Sequence, residues 1–240
     1  MRHGSAANFH FVFIVDRSGS MGMFGRMELA KEALALFIRS LPKDSKFSII
    51  SFGSRHQVMV DDTQSSVLTL TDESKREALS QIQSFKPTLG GTNILGPLRY
   101  AQEKLTSGLQ KRIFLLTDGQ VDDAQLTIAQ AQRHNDSCRV FSFGLGSECD
   151  KYLVVQVANA GRGTSTIVRD SDANLNGLVI LALATAMEPS LRNTTFGFSL
   201  DSMSKPLEVY RNTLISATKL MTEAEFENLE FFFKTEADGD

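Results

Sequence analysis

The chain has 240 residues, 42% hydrophobic and 22% charged, enough for one large domain or a domain with an annex, and for a real buried core. Its net charge of −3 argues against a nucleic-acid or general polyanion binder. The longest apolar run, Leu178 to Met187, is about half the ~20 residues of a membrane-spanning helix, and no leader-type stretch precedes the first strand-like run, so neither membrane insertion nor secretion is expected.

Residues 1–8 read as a leader or tag ahead of the domain. Phe9 to Val15 (FHFVFIV) is almost continuously apolar, the pattern of a strand buried on both faces. Met27, Ala30, Leu34, Phe37, Ile38 and Leu41 then fall on one helical face, and Pro42 ends the helix. Phe47 to Phe52 is predicted as the next strand and Gln57 to Val60 as a short edge strand. Helices are expected over Asp72 to Phe85 and over Ile94 to Leu105, with Pro97 tolerated in the first turn of the second. Arg112 to Thr117 and Arg139 to Phe143 read as strands on either side of a helix from about Asp123 to His134. A short helix at Tyr152 to Ala158, a strand at Ser165 to Val168 and a helix at Leu175 to Met187 follow. The two cysteines are too few for a disulfide scaffold and lack metal-type spacing. Cys138 begins a buried strand, whereas Cys149 falls in a loop where it would be exposed. A reduced, cytoplasmic protein is the expectation; a signal peptide upstream would instead make it a secreted one.

Strands alternating with helices imply right-handed crossovers and an α/β, Rossmann-like doubly wound, mainly parallel sheet covered on both faces. Ligands of such folds bind beyond the carboxyl ends of the strands. After Pro189 the character changes. Thr194 to Leu200 alternates, Leu207 to Tyr210 is strand-like, and Leu229 to Lys234 (LEFFFK) is strongly β-prone. Residues 1–188 carry 20 basic and 19 acidic groups, while residues 189–240 carry 5 and 9 and hold 6 of the 17 Phe. The expected organisation is therefore a domain over 9–188 and a β-rich, acidic extension over 189–240, which is expected to pack back on the domain through Phe231, Phe232 and Phe233.

The chemistry gathers at strand ends. Asp16-Arg17-Ser18-Gly19-Ser20-Met21 follows the first strand and offers a carboxylate and two hydroxyls at alternate positions of a turn that Gly19 and Gly22 let curl tightly. Gly90-Gly91-Thr92-Asn93 presents a hydroxyl just before a helix, and Asp118 closes the strand RIFLLTD. Taken singly these are an N-cap, a helix cap and a turn. Together, at successive element ends, Asp16, Ser18, Ser20, Thr92 and Asp118 form an oxygen-only donor set suited to Mg2+ or Mn2+, with Ca2+ also admissible. With two carboxylates facing a dication the site is about neutral, and the metal stays a competent Lewis acid.

These segments resemble the metal-ion-dependent adhesion site of the von Willebrand factor type A domain, over about residues 9–188 and in the same order. The surrounding SFGS, GGTNILGPL, RIFLLTDGQV and FSFGLGS are most similar to the branch found in inter-alpha-trypsin-inhibitor heavy chains and in vault-associated poly(ADP-ribose) polymerase. The resemblance implies that Ser18 and Ser20 bind the metal directly, that Asp16 and Asp118 act directly or through water, and that Thr92 joins when ligand is bound. It implies a protein partner whose Asp or Glu completes the coordination, coupling of ligand binding to the last helix, and no catalysis. An intracellular scaffold or assembly module is the first reading, and a secreted adhesion or matrix domain the alternative. A Mg2+-dependent phosphohydrolase is the enzymatic rival, but such enzymes need a second Asp two residues after the first, where this chain has Ser18. The P-loop Gly-Lys-Ser/Thr and the Gly-x-Ser-x-Gly elbow are absent, and His3, His10, His56 and His134 are scattered.

Overall fold

Strand β1 (Phe9–Asp16) is buried along its whole length, as its apolar run requires. It lies at the centre of the sheet, parallel to β2 (Lys46–Phe52) on one side and to β5 (Gln110–Thr117) on the other. The parallel strands β6 (Cys138–Leu145) and β7 (Arg162–Val168) extend the β5 side. On the far side, β3 (His56–Val58) and β4 (Leu68–Thr69) both run antiparallel to β2, giving a seven-stranded sheet whose main path is β3-β2-β1-β5-β6-β7. The structure, a computed structural model, describes residues 9–61, 63–119, 121, 123–169 and 174–188, together with the strand backbones at 195–200, 207–209 and 229–234.

Alternation along β1 divides the core in two. Phe11, Phe13 and Val15 pack with Ala30, Leu34 and Phe37 of α1 (Arg26–Ser40), Ile82 of α2 (Asp72–Gln83) and Val179 and Leu183 of α6 (Leu175–Met187). Val12 and Ile14 face the opposite layer, formed by α3 (Leu95–Glu103), α4 (Ala124–Arg133) and α5 (Lys151–Ala160). The first face carries an aromatic cluster. Phe114 lies 5.4 Å from Phe13, 4.6 Å from Phe37 and 5.2 Å from Phe141, in the range where offset and tilted ring pairs attract. Helices on both faces of a mainly parallel sheet make the doubly wound fold expected from the sequence.

Several helix starts are locally encoded. Thr71 and Ser74 form a reciprocal capping box on α2, and Asp123 and Asp150 accept from Leu126 and Leu153 at the heads of α4 and α5. Strand β4, a two-residue pairing of Phe47 with Leu68 and Lys46 with Thr69, had no sequence signal. Strand β7 starts three residues earlier than the sequence suggests, because its first half, Arg-Gly-Thr-Ser, is polar and lies on the sheet edge. Gly163 permits this start: a Cβ there would lie 2.0 Å from the carbonyl oxygen of Val140. Cys149 is buried, not exposed, because its loop folds back over Gly144, where an added Cβ would meet the Cys149 sulfur at 2.8 Å. Both cysteines are free thiols.

The chain divides into two compact units between Glu188 and Pro189. In the second, β8 (Thr195–Leu200) pairs antiparallel with β9 (Leu207–Val209) and β10 (Leu229–Lys234), placing Phe231 opposite Phe198 and Phe233 opposite Phe196. The expected leader at 1–8 and the surroundings of Phe231, Phe232 and Phe233 lie outside the described residues.

Candidate metal centre

The register of the three central strands builds the site. Asp16 is level with Phe52 on β2, and Val15 is level with Leu116 on β5, so Asp16 and the Thr117-Asp118 end of β5 meet at one carboxyl edge. Asp16 is fully buried. Its Oδ1 accepts the backbone N–H of Ser18 at 2.8 Å and its Oδ2 accepts the Thr117 hydroxyl at 2.6 Å. The same hydroxyl accepts the Gly119 N–H at 2.9 Å, which fixes its direction. Burial pushes the Asp16 carboxyl up to about 6; the Ser18 and Thr117 hydrogen bonds oppose the rise, and the negative charge of Asp118 adds to it.

Beyond Asp16 the chain curls through a 3-10 turn, Gly19–Gly22. This brings the Ser18 and Ser20 hydroxyl oxygens to 3.1 Å from each other, with Ser18 buried and Ser20 half-buried. The loop carrying Thr92 is tied to that turn by backbone bonds: Gly19 N–H to Gly90 O at 2.8 Å and Leu89 N–H to Arg17 O at 3.0 Å. It is held from the β2 side as well, by Ser54 N–H to Leu89 O at 2.8 Å, Asn93 N–H to Gly53 O at 2.9 Å and Gly91 N–H to the Ser54 hydroxyl at 2.8 Å. The approach is tight at Gly53, where a Cβ would come within 2.3 Å of the Leu89 carbonyl oxygen. Thr92 itself is half-buried.

Asp118 is fully buried, and its Oδ2 accepts from Nη1 of Arg26 at 3.0 Å; Arg26, the first residue of α1, is 2% exposed. The Asp118 carbonyl accepts the Asp150 N–H at 2.8 Å, linking this strand end to the start of α5.

Four of the sequence-derived candidates, Asp16, Ser18, Ser20 and Asp118, thus stand on one sheet edge, and Thr92 stands on a loop bonded to it. Three further residues were not foreseen. Thr117 is the last residue of the predicted strand Arg112 to Thr117, yet its hydroxyl donates to Asp16 and orients it. Ser54 holds the Thr92 loop. Arg26 lies just ahead of the predicted helical face, and as the first residue of α1 it sets a cation at a helix N-terminus, where it opposes the helix dipole; that position signals that a partner exists. Among the described residues no group of three His, Cys, Asp or Glu side chains could hold a metal. The donor set brought together here is two carboxylates and hydroxyl oxygens, all hard. The edge of an octahedron with Mg2+–oxygen bonds is about 2.9 Å, close to the observed Ser18–Ser20 spacing of 3.1 Å.

A doubly wound sheet with an Asp-x-Ser-x-Ser turn after its first strand, a Gly-Thr loop bonded to that turn and an Asp ending a neighbouring strand defines a class of α/β domains built around an edge of oxygen donors. The chain belongs to the von Willebrand factor type A domain family, whose model matches residues 10–167. A von Willebrand factor A domain-containing protein of Dictyostelium discoideum is 32% identical over 190 residues, which cover 79% of this chain and 20% of that protein. The chain thus spans about a fifth of that relative's length. Among solved structures, a von Willebrand factor type A protein from Catenulispora acidiphila superposes with a TM-score of 0.66 at 23% identity, covering 82% of this chain and 46% of that one. Proximal thread matrix protein 1 from the mussel byssus, with a zinc-occupied metal-ion-dependent adhesion motif, superposes with a TM-score of 0.60 at 18% identity, covering 81% of this chain and 50% of that one. These likenesses to solved structures concern the fold.

Proposed function

We propose that the domain is a metal-dependent protein-interaction module: it binds a divalent cation, Mg2+ foremost and Mn2+ or Ca2+ as alternatives, and through it a carboxylate of a protein partner. The observation that carries this reading is the pair of Ser18 and Ser20 oxygens, 3.1 Å apart beside the buried Asp16 carboxylate. Ser18 and Ser20 would hold the metal by their hydroxyl oxygens, Asp16 and Asp118 would hold it directly or through water, and Thr92 would join on ligand binding. The metal supplies Lewis acidity toward an Asp or Glu side chain. The protein supplies the rest: Thr117 holds Asp16, the Gly19–Gly90 bond holds the Thr92 loop in reach, and the sheet edge keeps the donors preorganised. The zinc-occupied motif of the mussel byssus protein, which shares this fold, supports the reading.

The same site argues for binding over turnover. Ser18 stands where an aspartyl-phosphate phosphatase needs its general acid, and among the described residues no His or Glu joins Asp16, Ser18 and Thr117 in their hydrogen bonds. We place the module among the branch that includes the inter-alpha-trypsin-inhibitor heavy chains, on the strength of its loop sequences, and in a cytoplasmic scaffold, in keeping with two buried free thiols. Calorimetric titration of Mg2+ into the wild type and into a Ser18→Ala/Ser20→Ala double variant tests the site. The wild type binds and the variant loses most of its affinity; equal affinity in both refutes the assignment.

A further inference from the structure

Asp118 and Arg26 form a sealed ion pair, 0% and 2% exposed, within the proposed metal centre. Two buried carboxylates on adjoining strand ends need compensation, since an uncompensated buried charge is strongly destabilising. Asp16 receives it from neutral donors, Ser18 and Thr117. Asp118 receives it from a full cation. Arg26 is not placed there by its helix: it is the first residue of α1, at the positive end of the dipole, where a guanidinium is disfavoured. The chain approaching it is strained, with Phe24 at φ 54° ahead of Gly25 at φ 72°. The Phe24 ring, 5.3 Å from the guanidinium carbon, lies against the cation and is itself 70% exposed. A strained approach, an unfavourable helix position and a desolvated cation all serve one contact, Arg26 to Asp118.

We propose that Arg26 is the resident counter-ion of the site: it keeps Asp118 in place in the metal-free protein and, once a divalent cation binds, offsets the Asp118 charge so that the metal keeps its appetite for a partner's carboxylate. This deepens the metal-binding reading and rests on it. Its consequence has a sign that simple bracing lacks. A fixed positive charge near the metal weakens metal binding, whereas a residue that merely braces a ligand strengthens it. Removing the charge should therefore tighten metal binding while loosening the metal-free fold.

The test uses the full chain with Arg26→Gln and Arg26→Lys, each titrated calorimetrically with Mg2+ and melted with and without it. Arg26→Gln is expected to melt lower than wild type without metal, to bind Mg2+ about tenfold more tightly, and to gain more melting temperature from saturating Mg2+ than wild type does. Arg26→Lys keeps the charge and stays within about threefold of wild type. Arg26→Gln binding Mg2+ no more tightly than wild type overturns the proposal. Should Arg26→Gln fail to fold, Arg26→Met/Asp118→Asn is compared with Asp118→Asn. Tighter Mg2+ binding in the double variant supports the charge role and unchanged or weaker binding overturns it. Failure of the metal site itself reads differently: wild type and Ser18→Ala/Ser20→Ala then bind Mg2+ alike, whatever stands at residue 26.

Discussion

His10 makes the stability of this domain depend on pH in a direction the structure fixes. It is fully buried at the amino end of β1, with Nε2 2.9 Å from the Ser48 hydroxyl and Nδ1 3.1 Å from the Ser107 hydroxyl. Ser48 donates its own proton to the Ser66 carbonyl, so its oxygen accepts from Nε2–H. Ser107 accepts the Leu109 N–H at 3.4 Å and donates to Nδ1. Both ring nitrogens are thus satisfied in the neutral form. Burial, with the positive charges of Lys111 and Lys46 added, lowers the imidazole from 6.5 to about 4. A depressed histidine value means that the unfolded chain binds the proton first, so its stabilising contribution is full above pH 6.5 and is lost as pH falls toward 4. With those two values, the loss between pH 7.5 and pH 5 is about 2 kcal/mol. Urea unfolding of wild type and His10→Gln at a series of pH values measures it. Wild type should lose about 2 kcal/mol more than the variant over that interval. Parallel stability curves for the two proteins would refute the reasoning.

Three substitutions probe the frame around the site. Thr117→Val keeps the shape but removes the donor to Asp16 and the acceptor for Gly119; it should cost about 1–3 kcal/mol by chemical denaturation and weaken Mg2+ binding, and an unchanged affinity would remove Thr117 from the account. Gly53→Ala drives a methyl group to 2.3 Å from the Leu89 carbonyl, so the loop carrying Thr92 must shift; a loss of about 1–3 kcal/mol is expected, and a wild-type melting temperature would contradict the close approach. Arg112, buried in β5, donates from Nε to the Ala186 carbonyl at 2.7 Å and stacks 4.0 Å from the Phe9 ring centre. Arg112→Met should lower stability by about 1.5–3 kcal/mol and speed hydrogen exchange in the last turn of α6, whereas unchanged exchange there would show that Arg112 does not hold that end.

The legible parts of the molecule were those encoded by local pattern. The FHFVFIV run could only be a strand covered on both sides, and the helical spacing from Met27 to Leu41 could only serve one buried face, so the doubly wound sheet followed from counting. Asp16, Ser18 and Ser20 were legible because they are neighbours in the chain, and Asp118 because it ends an apolar strand. What the sequence did not carry was contact at long range. The pairing of Arg26 with Asp118 joins residues 92 apart, and the Thr117 bond to Asp16 joins residues 101 apart; the helix-start position of Arg26 hints that it has a partner, but nothing local names the partner in either case. The edge elements failed for a related reason: β4 is two residues long and β7 begins in polar sequence, so neither has the apolar run by which buried strands announce themselves. Cys149 looked exposed because loop position says nothing about what folds over it.

Whether Ser18, Ser20 and Asp16 hold a metal is tested most directly by an anomalous difference map from crystals of the protein soaked in Mn2+. A single strong peak is expected at bonding distance from the Ser18 and Ser20 hydroxyl oxygens and beside Asp16, lost in the Ser18→Ala/Ser20→Ala variant. A peak elsewhere on the domain, or no peak at saturating Mn2+, would contradict it.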